Sequence, residues 1–193
     1  PTPPRPLAPS RPDEEEPPVR PPLEGDDDAR FRRGRLVHRL LQTLPDLAPA
    51  RRAGAARAYL ARPVHRLPEG EQAALAAEVL AVLDHPDAAP LFGPGSRAEV
   101  PLVGLVGGRA ISAQVDRLAI RDSEVLVVDY KTNRPPPERP EEVARLYLGQ
   151  MAAYRALLSR VYPGRNLRCF LLWTDGPRLM ELPPALLDPP PFR

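Results

Sequence analysis

The sequence predicts an α/β fold in which a mixed β-sheet is flanked by helices and preceded by an N-terminal helical segment. Three observations lead to this prediction. Apolar residues recur at helical spacing through the first part of the folded region. Three segments rich in β-branched residues follow, and a long helical pattern separates them from two further strand patterns. Helices, three strands, a helix and two strands in that order imply a mixed sheet with helices packed on it.

Four helices are predicted from apolar spacing and from composition rich in Ala, Leu and Glu. They lie at 31–44, 50–62, 69–84 and 140–161. The longest carries an inward-facing stripe that steps by four and three residues. The members of this stripe are Val143, Tyr147, Gln150, Tyr154, Leu157 and Val161.

Five strands are predicted, with glycines or polar turns between neighbouring ones. They lie at 97–103, 109–120, 124–131, 167–173 and 178–182. The second and third are expected to form an antiparallel hairpin with its tip at Asp122 and Ser123. Paired residue numbers in that hairpin sum to 245, which places Asp116 directly opposite Asp129.

The chain divides into three predicted regions. Residues 1–28 are predicted to be a disordered, proline-rich, acidic linker, because they carry a net charge of −5 and lack the apolar periodicity needed for a core. The chain begins inside this tract without a Met, so we expect it to be a piece of a longer protein. Residues 29–188 are predicted to form one domain and residues 189–193 a C-terminal tail.

Charge and cysteine content narrow the function classes. Residues 29–66 hold ten arginines against one acid, which suits a polyanion, although a solvated arginine-rich surface would give the same pattern. The single cysteine, Cys169, excludes an intrachain disulfide framework and cysteine-based metal clusters, and its apolar surroundings predict a buried inert thiol. Neither a signal peptide nor a bilayer-spanning stretch is found, so we expect an intracellular protein with no membrane partner.

Lys131 is the only lysine in the chain, and the other 26 basic side chains are arginine. Arginine is a planar fork, whereas lysine is a compact charge that can orient one water or one anionic oxygen. Either one lysine has survived by chance in an arginine-biased protein, or this position needs an ammonium group. The residues around it favour the second interpretation.

Asp116 and Asp129, if opposed, would place like charges about 5 Å apart in a half-buried sheet, which is destabilising unless a positive charge lies between them. Two carboxylates suit Mg²⁺ or Mn²⁺. Lys131 follows Asp129 by two residues and so lies on the same face, where it could hold an attacking water or stabilise charge on a phosphate. The alternative is a surface hairpin with one Asp solvated, since a register slip of one residue would separate the pair.

Four further residues are candidates with two interpretations each. His38 lies one turn after Gly34, which clears space beside it, and is either a packed core residue or a further metal ligand. Gln150 lies in an apolar stripe and needs a partner. In the structural interpretation, Gln150 forms a hydrogen bond with the sheet backbone and Tyr154 is an ordinary core residue. In the functional interpretation, both side chains reach a phosphate or a metal-bound water. Glu99 is either an acid beside the metal ligands or a solvated strand residue.

With these residues in order, the chain resembles the RecB-type nuclease domain of the PD-(D/E)XK superfamily. Four segments carry the resemblance: GRLVHRLL at 34–41, QVDRL at 114–118, VDYKTN at 128–133 and QMAAY at 150–154. The resemblance implies a restriction-endonuclease-like fold and a role for each candidate. The implied ligands of Mg²⁺, with Mn²⁺ as the alternative, are His38, Asp116, Asp129 and the backbone carbonyl of Tyr130. Lys131 would be the catalytic lysine, and Gln150 and Tyr154 would support the DNA and the metal site.

The helical lead-in, the DRL segment at 116–118 and the linker are most similar to the C-terminal nuclease domain of AddA-type helicase–nuclease subunits. This implies a DNA exonuclease or endonuclease that hydrolyses single-stranded DNA from unwound duplex ends. The setting would be double-strand break processing and recombinational repair in the bacterial cytoplasm. Implied partners are the helicase portion of its own longer chain and an AddB-type subunit. The alternative is a catalytically silent nuclease-fold module for DNA binding or subunit docking.

Overall fold

The computed structural model describes residues 27–188 and confirms the predicted fold class. The helices are α1 (Asp27–Thr43), α2 (Pro49–Leu60), α3 (Glu69–Asp84), α4 (Arg145–Val161) and α5 (Pro184–Leu187). The strands are β1 (Ser96–Val106), β2 (Arg109–Ile120), β3 (Glu124–Lys131), β4 (Asn166–Trp173) and β5 (Arg178–Leu182). Helix α1 begins within the last two residues of the predicted linker 1–28. The rest of that linker and the predicted tail 189–193 lie outside the described residues.

The strands form one sheet in the order β1-β2-β3-β4-β5. Neighbouring strands are antiparallel except β3 and β4, which are parallel because α4 carries the chain back between them. The turn between β1 and β2 is formed by Gly107 and Gly108, with φ angles of 56° and 78°. Two positive φ angles in succession match a type I′ hairpin turn, which glycine adopts without strain.

Helices cover both faces of the sheet, with α1, α2 and α3 on one face and α4 and α5 on the other. On β3, Val128 and Tyr130 join the first core, whereas Val127 joins the second. Alternation therefore sends Asp129 and Lys131 to the α4 side, where both are buried. No helix within residues 27–188 is both long and apolar enough to span a lipid bilayer.

The regular alternation of side chains breaks at one level of the sheet. Val115 and Leu118 of β2 both pack in the α4 core although three positions separate them. On β1, Glu99 has a left-handed φ of 53° at the same level, and the β1–β2 pairing continues in one register on both sides. The two residues at the break are Glu99 and Asp116. Because the alternation is interrupted there, their side chains are not restricted to pointing straight at one face of the sheet.

Two predicted boundaries are wrong. The helix predicted at 140–161 begins only at Arg145, after a separate 3₁₀ turn at Pro140–Glu142. Val161 is 59% exposed rather than part of the inward stripe, because α4 ends at this residue. Gly104 was expected after the end of the first strand, but it lies inside β1, where a Cβ would come within 2.6 Å of Leu157 on α4. The missing side chain therefore lets α4 approach the strand.

Candidate active site

The predicted register of the β2–β3 hairpin is confirmed as far as the ladder extends. Ile120 pairs with Val125 and Leu118 pairs with Val127, as the sum of 245 requires. The last pair of the ladder joins residues 117 and 128, one position before the predicted Asp116–Asp129 pair. Here the Asp116 carboxylate accepts the backbone N–H of Tyr130 at 2.6 Å. The Asp116 side chain therefore binds a backbone N–H of β3, and the pairing of β2 with β3 ends at this point.

Lys131, Asp129 and Gln150 form a closed triangle on the α4 side of the sheet. The Lys131 Nζ lies 2.6 Å from Asp129 Oδ2 and donates to Gln150 Oε1 at 2.9 Å. The amide Nε2 of Gln150 donates to the other Asp129 oxygen at 3.0 Å. Because one amide contacts both members of a buried ion pair, its carbonyl and amino groups each have a fixed direction. Gln150 therefore orients the carboxylate and the ammonium together.

Tyr154 ties this triangle to the neighbouring strand. Its hydroxyl accepts a hydrogen bond from Gln150 Nε2 at 2.8 Å and donates to the backbone carbonyl of Gln114 at 2.9 Å. The structure therefore shows both a contact with the candidate catalytic side chains and a contact with the sheet backbone. Gln150 contacts the candidate catalytic side chains, and Tyr154 reaches the sheet backbone.

A second cluster lies on the α1 side of Asp116. His38 Nδ1 is 3.3 Å from Asp116 Oδ1, and ligand atoms of His38, Glu99 and Asp116 lie within 4.8 Å of one another. Gln114 Nε2 donates to Glu99 Oε2 at 2.6 Å and holds that carboxylate in place. One imidazole and two carboxylates are a donor set that a divalent cation accepts. The three residues therefore fit a divalent metal. Two predicted ligands, His38 and Asp116, are in this cluster together with Glu99, whereas the predicted ligand Asp129 is outside it and pairs with Lys131.

Two carboxylates of the site, Asp129 and Glu99, have raised pKa values. Burial raises the pKa of Asp129 to about 6 despite the opposing Lys131 ammonium, and the charge of Asp116 adds to the rise. Burial also raises the pKa of Glu99, again helped by Asp116. Burial lowers the pKa of His38, but the carboxylates of Asp116, Asp129 and Glu99 together outweigh burial, and the net shift of this pKa is upward. A bound cation would stabilise the ionised form of these carboxylates and offset the repulsion between their charges.

Tyr130 lies between the two clusters with its ring on the α1 side. The ring meets His38 edge-on at 5.5 Å between centroids, and its hydroxyl accepts from Arg117 Nε at 3.1 Å. The predicted metal-ligand role belongs to its backbone carbonyl and stays a prediction. Its backbone N–H is engaged by Asp116, which fixes the peptide beside the candidate site.

Helix α1 approaches the end of β3 closely at Gly34. A Cβ on Gly34 would lie 3.4 Å from Thr132 Oγ1, so the close approach expected at this glycine is made by the residue after Lys131. The neighbouring Arg33 donates to the Thr132 carbonyl at 3.3 Å and also pairs with Glu78 of α3. These contacts hold the chain after β3 against α1, which carries His38, and link α1 to α3.

Sequence reasoning missed two buried residues that shape the site. Arg117 is 3% exposed, and its NH2 group donates to the Leu41 carbonyl at 2.6 Å, so it fastens β2 to the helix that bears His38. Tyr147 was assigned only to the inward stripe, yet its ring faces Lys131. The spacing of three residues between Tyr147 and Gln150 puts both on one face of α4 and could have indicated a shared target.

Residues 16–184 match the family model of the PD-(D/E)XK nuclease superfamily. No curated protein sequence matches the chain. Among solved structures, the crystal structure of SSO0001 is similar with a TM-score of 0.37 and 17% sequence identity, over 86% of this chain and 89% of that one.

Proposed function

Because the chain belongs to the PD-(D/E)XK nuclease superfamily, we propose that it is a Mg²⁺-dependent nuclease that hydrolyses phosphodiester bonds of single-stranded DNA. One observation carries the proposal. The only lysine of the chain is buried and held by Asp129 and Gln150, and the charge of Asp116, which clusters with His38 and Glu99 in a donor set that fits a divalent cation, acts on this same Asp129. Purely structural packing does not require a buried ammonium paired with a buried carboxylate, because each buried charge carries a desolvation cost.

Each residue then has a distinct role. Asp116, Asp129 and His38 would hold Mg²⁺, with the Tyr130 carbonyl as a further ligand. When bound, Mg²⁺ would lower the pKa of a water ligand and neutralise charge on the scissile phosphate. The Lys131 ammonium would hold the attacking water or stabilise charge on a phosphate oxygen. Gln150 and Tyr154 would keep the lysine and Asp129 in that geometry.

The arginine-rich part of the chain supports a nucleic-acid substrate. Four of its side chains on and after α2 are exposed, namely Arg51, Arg57, Arg62 and Arg66. Exposed guanidinium groups bind the phosphate backbone without reading base sequence. A single strand delivered from an unwound duplex end would therefore be held by charge and cut at the site described above.

The wider setting of this nuclease is also a proposal. The four motifs and the linker are similar to the nuclease domain of AddA-type subunits, so we infer a bacterial, cytoplasmic helicase–nuclease that acts in double-strand break processing. The motor would be the helicase portion of the same longer chain, and an AddB-type subunit would be the partner. Co-purification of the full-length chain with such a subunit, and loss of cleavage of duplex DNA without ATP, are the expected results.

Cleavage of a labelled linear single strand tests the catalytic proposal. The purified chain is incubated with Mg²⁺, with EDTA, and with Mg²⁺ as the Asp129→Ala variant. The matched control is Asp122→Ala, which removes an exposed aspartate from the tip of the same hairpin. We expect cleavage with Mg²⁺ that is lost with EDTA and with Asp129→Ala but kept with Asp122→Ala.

Two other results would contradict the proposal. Full cleavage by Asp129→Ala would remove the site from the reaction. Binding of single-stranded DNA that is equal with and without Mg²⁺, with no cleavage and no Mg²⁺ binding by calorimetry, would favour the catalytically silent module instead.

A further inference from the structure

Tyr147 covers the side of the Lys131 ammonium that the triangle leaves open. The Lys131 Nζ lies 3.8 Å from the centroid of the Tyr147 ring, and Tyr147 is itself only 5% exposed. Asp129 and Gln150 bind the same nitrogen at 2.6 Å and 2.9 Å. The ammonium is therefore enclosed by a carboxylate, an amide oxygen and an aromatic face.

This contact is closer than four arginine–aromatic contacts among residues 27–188, of which the buried Arg117 over the Phe92 ring is the nearest at 4.9 Å and Arg168 over Phe170 lies at 5.1 Å. Arg62 lies 5.1 Å from the Tyr59 ring and Arg165 lies 5.8 Å from the Tyr162 ring. Arg62 is exposed and Arg165 is half-buried, and cation–aromatic contacts that stay in reach of solvent contribute little. The Lys131–Tyr147 contact is shorter and buried, and a desolvated cation interacts more strongly with an aromatic face.

We propose that Tyr147 is the positioning residue for the Lys131 ammonium of the nuclease. The inference rests on the proposed function, in which Asp129 also binds Mg²⁺. The charge of Asp129 is then shared with a divalent cation, so its ion pair with Lys131 weakens. Gln150 and the Tyr147 ring remain to hold the ammonium, and Tyr147 matters most when the metal is present.

The compact shape of lysine fits this cage. An ammonium group can place one N–H on Asp129, another on Gln150 and its remaining surface on the ring. Tyr147 and Gln150 are three residues apart on α4, so one rigid helix fixes the ring and the amide together. The enclosure leaves the ammonium few directions in which to move, which is what a group that orients a water or a phosphate oxygen requires.

The single lysine allows a direct test by NMR. In protein labelled with ¹³C,¹⁵N-lysine, the one lysine side chain gives one set of ε resonances, which the Tyr147 ring current shifts upfield. The variants are Tyr147→Phe, which keeps the ring, and Tyr147→Leu, which removes it. Tyr147→Met is the second ring-free variant if Tyr147→Leu does not fold. Tyr162→Leu is the matched control, because it removes the ring of the half-buried Arg165 contact, away from Lys131.

We expect the upfield shift in wild type, Tyr147→Phe and Tyr162→Leu, and its loss in Tyr147→Leu. Addition of Mg²⁺ should leave the lysine signal of wild type in place and move that of Tyr147→Leu toward the position of an exposed lysine. In cleavage assays, kcat of Tyr147→Leu should fall roughly tenfold, while KM for DNA and the Mg²⁺ affinity change less than twofold. Tyr147→Phe should retain kcat.

An unchanged lysine shift together with unchanged kcat in the ring-free variant would overturn the inference. So would an equal loss in Tyr147→Phe, since the ring would then not be the cause. If wild type fails to cleave DNA, the proposed nuclease activity fails, and the response of the lysine signal to Mg²⁺ still decides whether Tyr147 holds Lys131. The two proposals therefore fail by different measurements.

Discussion

Asp116 accepts the backbone N–H of Tyr130 at 2.6 Å, at the end of the paired part of β2 and β3. The carboxylate thus replaces a backbone carbonyl as the partner of a strand N–H. Its second oxygen is left to face His38 at 3.3 Å. One aspartate therefore both ends the hairpin ladder and contributes to the candidate metal site.

Replacing Asp116 should separate these two roles. Asp116→Ala leaves a buried N–H without its acceptor and should lower the free energy of unfolding by about 1–3 kcal/mol in metal-free buffer. Asp116→Asn keeps an acceptor oxygen, so its stability should lie closer to wild type, yet it loses a charged ligand and should bind Mn²⁺ more weakly. Chemical denaturation and calorimetry measure the two effects. Equal Mn²⁺ affinity in Asp116→Asn and wild type would contradict the ligand role.

The sequence was sufficient to predict the hairpin because its register follows from local features. A polar turn at 121–124 and the apolar residues on each side leave one pairing that buries both strands, and that pairing is observed. The same local logic placed Asp129 and Lys131 on one face. It could not show that Asp116 would turn its carboxylate to a backbone N–H, since a side-chain acceptor leaves no trace in apolar periodicity.

Replacing Lys131 by arginine should abolish the advantage of the compact ammonium. Lys131→Arg keeps the charge, but the guanidinium fork is too large for the space between Asp129, Gln150 and Tyr147. We expect cleavage of single-stranded DNA in Mg²⁺ to fall roughly a hundredfold or more. The reverse substitution at an exposed position, Arg139→Lys, should change the cleavage rate by no more than about twofold. A Lys131→Arg variant with the wild-type rate would show that any cation is sufficient.

Removing the buried Arg117 should destabilise the fold. Its guanidinium donates to the Leu41 carbonyl, to Ser96 Oγ and to Tyr130 Oη. Arg117→Met leaves these acceptors without that donor and should lower the free energy of unfolding by about 3 kcal/mol. Arg97→Met, at an exposed position of β1, should change it by no more than about 0.5 kcal/mol. Urea denaturation of both variants compares them, and equal midpoints would refute the role assigned to Arg117.

Replacing glycine by alanine should have opposite effects on the stability of the fold at two positions. Gly95 has a φ of 81°, and a Cβ there would lie 2.7 Å from the Ile120 carbonyl oxygen. Gly95→Ala should therefore lower stability by about 2 kcal/mol. Gly54 lies in α2 with nothing within 4 Å of its Cβ position, so Gly54→Ala should raise stability by about 0.5–1 kcal/mol. Thermal unfolding of the pair would contradict this account if both variants shifted in the same direction.

Cys169 should be unreactive in the native protein. Burial raises the pKa of its thiol from the ordinary value of 9.0 to about 12, so its thiolate fraction at pH 8 should be about a thousandfold lower than that of an exposed thiol. Because the native state keeps this proton to higher pH than the unfolded chain does, the thiol's contribution to stability is full below pH 9 and is lost as pH rises toward 12. Alkylation at pH 8, with and without denaturant, measures the difference, and rapid reaction of the folded protein would contradict it.

The parts of the site that sequence reasoning missed depend on long-range geometry. The left-handed φ of Glu99 follows from the break in strand alternation opposite Asp116, and no local pattern marks it. Tyr147 reads as an ordinary core residue until the position of Lys131 across the layer is known. His38 could be proposed from Gly34, but its approach to Asp116 depends on how α1 crosses the sheet.

The strand order has a consequence for how the chain folds. Every strand pairs with its neighbour in sequence, and the three antiparallel pairs can form by closing short loops, which costs little chain entropy, whereas the parallel β3–β4 pair needs the longer connection through α4. Helix α1 is different, because its contact with β2 through Arg117 and Leu41 closes a separation of 76 residues. We therefore expect the hairpin that carries both acids to form early and α1 to dock late. The imidazole of His38 would join the carboxylates only in the final stage of folding, so partly folded chains would carry the acidic half of the site alone.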